Sequence, residues 1–334
     1  EPLELDLIDE KINWKFITDY LPRPSHSDGF ILDWSEYIVQ ITGLGLMGFG
    51  NQVYSIISIL KEFLSLENYI KVEKPDMMIA LHERNRWGKM IGYHCKQNNI
   101  PYVTFQEGDY HSDRYSFGTH TQYSTIDLLW GQETYDKLLS HGCDATKMKV
   151  VGNTFIDELV KKNKETKVEN ALLFIVDLSW SSFLNPEKWQ ELLNTWDINT
   201  IDKIYIKWHP NTELHGFQTV KAMFAKMSDK IEVILIGDTY ELIAKSSHVI
   251  ILGYTTVAIE ALALGKCIYS IPPIGAKESK YIDLGIAVPF NKEYNLREFN
   301  CTDIQVVQKY LTKFFYKIDG HVVDRCIEEM EKVL

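Results

Sequence analysis

From residue 71 the chain alternates between short apolar runs and longer stretches with helical spacing. Four apolar runs, at 77–81, 100–105, 127–131 and 149–153, read as strands, with helices between them over 87–97 and 134–140. A charged, apolar-poor segment at 161–167 reads as a linker. The pattern then resumes, with strands at 171–176, 203–206, 232–236, 248–252 and 267–271. Helices start at Pro186, where proline suits a first turn, and run over 217–227 and 240–246. The tail has amphipathic spacing over 303–315 and 322–334. Strands alternating with helices predict parallel sheets and an α/β class. The expected organisation is a first unit over 1–160, a second over 168–315, and a C-terminal helix over 316–334 that packs back on the first.

The stretch before residue 71 is less regular. Leu3, Leu5 and Leu7 alternate with acids before Pro22 and Pro24 break the pattern. An apolar run at 37–42 precedes Gly43, Gly45 and Gly48, which match G-x-G-x-x-G literally. A dinucleotide fold wants an acid about 20 residues further on, after a second strand. Here the acid after the next strand is Glu83, well beyond that spacing. The glycines therefore read as a loop that lets an acceptor approach the backbone, or as tight helix packing.

Polar residues gather at the carboxyl ends of the predicted strands, the edge where open α/β sheets bind ligands. In the first unit these are His82, Glu83, Gln106, Glu107 and Asp109. In the second they are Ser179, Ser181 and Ser182, then Lys207 and His209, then Thr255 and Thr256. The last pair follows a strand and opens a helix, a turn that points free backbone N–H groups and a positive helix end at one spot and so suits a phosphate. Thr255 or Thr256 also serves as an ordinary N-cap. Glu260, one turn on, is placed for sugar or ribose hydroxyls, or simply to favour the helix dipole. Together the three turns make a cradle for a phosphate leaving group without a bound metal. Glu107, with Gly108 allowing a sharp turn after it, is the first candidate for a general base; His82, Asp109 and His111 are alternates. Glu107 and His209 also read as a loop cap and as a partly buried histidine closing a strand.

Composition narrows the classes. At 334 residues the chain exceeds what one core usually supports, so two domains are expected. A net charge of −11 argues against sequence-independent nucleic-acid binding, and an anionic ligand must be held by local dipoles and a few cations. Five cysteines without a C-x-x-C pair argue for a reduced compartment and against a zinc or disulfide frame. No run of 18 or more apolar residues occurs. No G-x-S-x-G elbow and no H-E-x-x-H spacing is present. The chain starts at Glu1 rather than Met, which leaves open a preceding strand or domain.

The run from about 75 to 272 resembles the GT-B glycosyltransferase superfamily, whose fold is two Rossmann-like domains with parallel sheets facing a central cleft. Lys207-Trp208-His209-Pro210 is similar to the His-Pro motif of bacterial sialyltransferases, capsular Kdo transferases and teichoic acid polyol-phosphate transferases. Thr255-Thr256 resembles their hydroxyl pair. The resemblance implies that both contact the donor's phosphate. Gln106-Glu107-Gly108 resembles their acid-acid-Gly motif, whose second acid is the base, with Gln106 departing from the pattern. Val151 to Leu159, and Glu260-Ala261 with Leu264-Gly265-Lys266, are similar instead to UDP-N-acetylglucosamine 2-epimerases of the same fold. Their early Gly-Thr-Arg-Pro-Glu segment and Ser-Gly-Gly donor loop are absent.

The first expectation is thus an inverting, metal-independent glycosyltransferase that needs no cofactor. It moves a sugar from a nucleotide donor, CMP-linked among the options, to a glycan or lipid-linked acceptor. Glu107 is the base; Lys207, His209, Thr255, Thr256, Ser181 and Ser182 hold the phosphate; Glu260 holds donor hydroxyls; Gly43, Gly45 and Gly48 meet the acceptor. A sugar-nucleotide epimerase and a non-catalytic nucleotide-sugar-binding subunit are the alternatives. The expected location is cytoplasmic, with contact at the inner face of the membrane left open.

Overall fold

The computed structural model describes residues 46–108, 120–163, 165–181, 186–194, 200–211, 214–277, 279–290 and 302–334. The predicted strand at 37–42 lies outside them, as do Gly43 and Gly45. Gly48 is not in a loop: it falls in the opening turn of α1 (Leu46–Glu73). Of the two readings of the glycines, an acceptor loop and tight helix packing, the first does not hold at Gly48, since the helix continues past it to Glu73.

The first sheet takes β1 (Met78–Ala80), β2 (Tyr102–Phe105), β3 (Ile126–Leu129) and β4 (Met148–Val150) in the order β1-β2-β3-β4, all parallel. Helices α2 (Arg86–Asn98) and α3 (Gln132–Ser140) connect them. α2 opens on Asn85, whose side chain accepts from the Gly88 amide, and ends on Asn99 in the left-handed conformation. α4 (Thr154–Asn163) follows β4, so the stretch at 161–163 that reads as linker is helical. The lysines there ride an exposed final turn, where cations suit the helix dipole.

The second sheet contains β5 (Glu169–Val176), β6 (Lys203–Lys207), β7 (Ile231–Ile234), β8 (Ser246–Leu252), β9 (Ile268–Ile271) and β10 (Val288–Pro289). Their order is β10-β9-β8-β5-β6-β7, again all parallel. Its helices are α5 (Leu178–Ser181), α6 (Pro186–Asn194), α7 (Leu214–Met227), α8 (Thr239–Lys245), α9 (Val257–Ala263) and α10 (Lys280–Asp283). Leu172, Phe174 and Val176 of β5 point into one apolar layer with Trp189, Trp208 and Phe224; Leu173 and Ile175 point into the other, with Ile259 and Tyr281. Burial on both faces is why these strands read as unbroken apolar runs. Two short elements, α10 and β10, carry too few residues for a periodic signal.

The tail crosses back. α11 (Ile304–Phe315) puts Leu311 and Phe314 into the second unit's core, while Trp130 at the end of β3 meets the rings of Phe314 and Phe315. α12 (Val322–Glu331) then buries Val322 and Cys326 against Val103, Ile126 and Leu128 of the first sheet. α4 does the reverse, since Ile156 and Leu159 join the second unit's core. The two sheets are therefore tied by exchanged helices as well as by the chain between β4 and β5. Among the cysteines, Cys95, Cys143 and Cys326 are buried thiols.

The crossing of α11 depends on Gly131. A Cβ there would collide with the carbonyl oxygens of Lys313 and Phe314. Both obstacles are backbone, so Gly131→Ala is expected to lower stability by about 2–3 kcal/mol, seen as a fall in the denaturation midpoint. An unchanged midpoint would mean that α11 does not seat there.

Candidate functional site

The second sheet changes direction beside β5: the chain runs outward through β6 and β7, then returns to β8 on the other side. Such a switch point leaves a crevice at the strands' carboxyl ends. The ends are level, with Val176 opposite Leu252 and Ile175 opposite Lys207. Asp177 occupies the crevice. Its Oδ1 accepts from the Ser179 hydroxyl (2.6 Å) and the Trp180 amide (2.9 Å), and its Oδ2 accepts from the Tyr254 amide (2.9 Å). Gly253 has φ +95°, and any Cβ there would strike the Asp177 carboxylate. Glycine is required on both counts.

The turn after β8 is built differently from its sequence reading. The Thr255 amide donates to the Tyr281 hydroxyl (2.9 Å), which donates back to the Thr255 carbonyl (2.7 Å). With Tyr254 N–H on Asp177 and Gly253 N–H on the Ile271 carbonyl, most of the turn's amides are used within the protein. What the turn presents is the two threonine side chains: Thr255 lines a cavity of about 390 Å³ and Thr256 a second of about 450 Å³.

The smaller cavity lies wholly in the second unit, beside Asp177, Lys207, His209 and Pro210. His209 Nδ1 accepts from the Asn211 amide (3.2 Å), so the ring proton sits on Nε2. Burial lowers the His209 pKa; Asp177 opposes this and Lys207 adds to it. His209 is thus a neutral Nε2–H donor at physiological pH. Lys207 is buried and gives hydrogen bonds to the carbonyls of Leu235 (2.7 Å) and Trp208 (3.2 Å). Burial lowers its pKa too. Two of its donors thus brace the β6 and β7 ends.

The larger cavity lies between the units. Glu107, Trp130 and Asn153 line it from the first, and Tyr240, Thr256 and Glu260 from the second. Phe155 of α4 meets Tyr240 of α8 edge to face, with centroids 4.8 Å apart. Glu260 is buried, and its Oε2 has no hydrogen-bond partner. Burial pushes its pKa up to about 7, against the nearby hydroxyls of Tyr240 and Thr256, which favour the charged form. A buried carboxyl oxygen without a partner, on a residue that lines a cavity, calls for a donor such as a ligand hydroxyl or water.

On the first unit's side, His82, Glu83 and Arg84 follow β1 on bent backbone. Glu83 turns inward, where its carboxylate accepts from the amides of Gln122, Tyr123 and Ser124. His82 and Arg84 turn to Glu107: His82 Nε2 lies 2.7 Å from Glu107 Oε2, and Arg84 Nη2 donates to Oε1. Gln106 is buried, accepting from the Trp130 amide and donating to the Gly108 carbonyl, so it serves the loop.

The structure therefore brings Glu107, Thr256 and Glu260 to one cavity, and Lys207, His209 and Thr255 to the adjoining one. His82 stands behind Glu107. Asp109, His111 and Ser182 lie outside the described residues, and Ser181 ends the short helix α5. Sequence reasoning passed over Arg84, Asp177 and Tyr240. Asp177 immediately follows an apolar strand, the signal that marked the others. Arg84 and Tyr240 follow no such rule. Among the described residues no cluster of His, Cys, Asp or Glu is placed to hold a metal, and no helix is long and apolar enough to cross a membrane.

No protein-family model matches the chain, and no curated protein sequence does. Solved structures do. The UDP-GlcNAc 2-epimerase of Neisseria meningitidis bound to UDP-GlcNAc is similar with a TM-score of 0.55 and 15% identity, over 85% of this chain and 89% of that one. The Methanocaldococcus jannaschii UDP-GlcNAc 2-epimerase in complex with UDP-GlcNAc and UDP gives 0.53 and 17%, over 83% and 81%. S. aureus MnaA with UDP gives 0.51 and 15%, over 82% and 78%. The chain has the GT-B-like fold of these epimerases. At such identities the likeness reaches the fold alone, and the narrower resemblance to sialyltransferases and Kdo transferases gains nothing from it.

Glu260 yields a stability test. Its folded pKa of about 7 stands above the ordinary 4.5, so the folded state holds the proton more tightly. Its contribution is complete below pH 4.5 and is lost as pH rises towards 7. The loss amounts to at most about 3 kcal/mol. Relative to Glu260→Gln, the wild type should lose unfolding free energy between pH 5 and pH 8; parallel curves would show that the carboxyl is not buried in solution.

Proposed function

We propose that this protein is a nucleotide-sugar enzyme that inverts C2 of UDP-N-acetylglucosamine. The observation that carries the reading is the pair of adjoining cavities. One lies inside the second unit beside His209 and the other between the units beside Glu107, with Thr255 and Thr256 where they meet. A nucleotide in the first places its diphosphate at the threonines and its sugar under Glu107. The epimerase structures of the same fold, solved with UDP or UDP-GlcNAc, support this reading over transfer.

The chemistry follows from the substrate. The sugar's C2 hydrogen has no ring carbonyl beside it, so its proton leaves easily only as the C1–O bond breaks. A base takes the C2 proton, the C–H electron pair forms the C1=C2 double bond, and the C1–O pair departs with UDP. Returning the proton to the opposite face of C2, with UDP re-adding at C1, gives the epimer. The cradle must then stabilise charge on the departing diphosphate. In this proposal the His209 Nε2–H and the hydroxyls of Thr255 and Thr256 do so, Lys207 keeps the local potential positive, Glu260 takes donor hydroxyls, and Glu107 acts on the sugar.

A second reading, inverting transfer to a glycan acceptor, is favoured by Lys207-Trp208-His209-Pro210 and by the exposure of Glu107 to the larger cavity. Incubating the protein with UDP-N-acetylglucosamine alone separates the two. Epimerisation gives a mixture with UDP-N-acetylmannosamine, read by proton NMR. Release of UDP only when a glycan acceptor is added would replace epimerisation by transfer, and nucleotide binding without turnover would leave a binding subunit. In the active protein His209→Ala is expected to lower turnover by about 10²-fold or more; near-normal turnover removes His209 from the phosphate site.

A further inference from the structure

Glu107 is gripped from behind. Its side chain is 34% exposed and lines the larger cavity, while those of Arg84 and His82 are each 12% exposed. Arg84 Nη2 donates to one carboxylate oxygen, and His82 Nε2 lies 2.7 Å from the other. The tautomer is set by the backbone, since His82 Nδ1 accepts from the Arg84 amide (3.2 Å) and the proton must sit on Nε2. The supporting loop is braced in turn. Asn85 caps the Gly88 amide (2.7 Å), a Cβ at Gly88 would strike the His82 carbonyl, and Tyr102 donates to the Gly88 carbonyl (3.1 Å).

We propose that Arg84 and His82 are positioning residues that fix the orientation of the Glu107 carboxylate, so that a ligand in the larger cavity meets it in one geometry. The inference deepens the reading that a nucleotide sugar occupies this cavity and rests on it. A guanidinium and an N–H donor on opposite oxygens stop the carboxylate from rotating. Burial lowers the His82 pKa although Glu107 pulls it up, so the imidazole is a neutral donor. Among the described residues, Glu83 is turned onto the amides of residues 122–124, and His120 sits 3.5 Å from buried Asp127. In this proposal Glu107 is held towards the C2 proton of the sugar.

The test reads the carboxyl group directly, apart from turnover. The full-length protein is labelled with glutamate carrying carbon-13 at the side-chain carboxyl, and the Glu107 signal is identified by its loss in Glu107→Gln. At neutral pH, Arg84→Gln should displace and broaden this signal as the carboxylate gains freedom, and Arg84→Lys should restore most of the difference. His82→Phe should change it by less, with His82→Gln, which keeps an N–H donor, returning it. A fall in kcat of about tenfold or more should follow the same order while KM for the nucleotide sugar stays put. An unchanged signal in Arg84→Gln overturns the proposal; should that variant fail to fold, an unchanged signal in His82→Phe does so. Absence of turnover in the wild type would remove the proposed reaction but leave the signal readable.

Discussion

The contact on which the site depends is that of Asp177 with the turn after β8. One carboxylate joins two strand ends on either side of the switch point, and it fits only because residue 253 has no side chain. The Asp177–Tyr254 bond fixes where β8 gives way to its turn, hence where Thr255 and Thr256 stand. Tyr281 fastens the same turn from β9's side by hydrogen bonds in both directions. The threonine hydroxyls are thus presented by a loop whose own backbone groups are largely satisfied. Donors held in this way need no rearrangement to meet developing charge.

The first unit follows the same logic with different parts. In the bent segment after β1, Glu83 turns one way and His82 with Arg84 the other. The inward residue anchors the segment before β3, and the outward pair holds Glu107. A three-residue run at a strand end thus both ties down a loop and orients the acid that faces the cavity. Burial raises the Glu83 pKa although three amides oppose it, which marks this as a structural carboxylate. Glu260 shares the burial but lacks the full set of donors, and one of its oxygens stays open beside the cavity.

The legible part of the fold was what depends on local pattern. β5 and β8 carry apolar runs because both faces are covered, and polar residues shortly after such runs line the two cavities. That rule placed Glu107, His209, Thr255 and Thr256. It failed where a role depends on a distant partner. Arg84 matters because Glu107 stands across the sheet edge, and Tyr240 because Phe155 and Glu260 reach it from two elements. Neither relation leaves a mark on its own segment. Gly48 left a loop and a packed helix both open, because helix propensity is a weak prior beside a long helix's other interactions.

The exchanged helices decide how the two halves can work together. α4 belongs by sequence to the first unit yet packs Ile156 and Leu159 into the second core; α12 follows the second unit yet packs on the first sheet. Asp157 of α4 accepts from the amides of Gly320 and Val322, and Arg325 of α12 donates to the Val151 carbonyl. The exchange is therefore pinned at its own crossing, directly behind Gly152 and Asn153 on the cavity wall. Any change in the angle between the sheets must pass through this crossing. It would move Phe155 against Tyr240, and so the first unit's wall against the hydroxyl beside Glu260. The two walls of the larger cavity are thus tied to the same crossing through contacts a few side chains long.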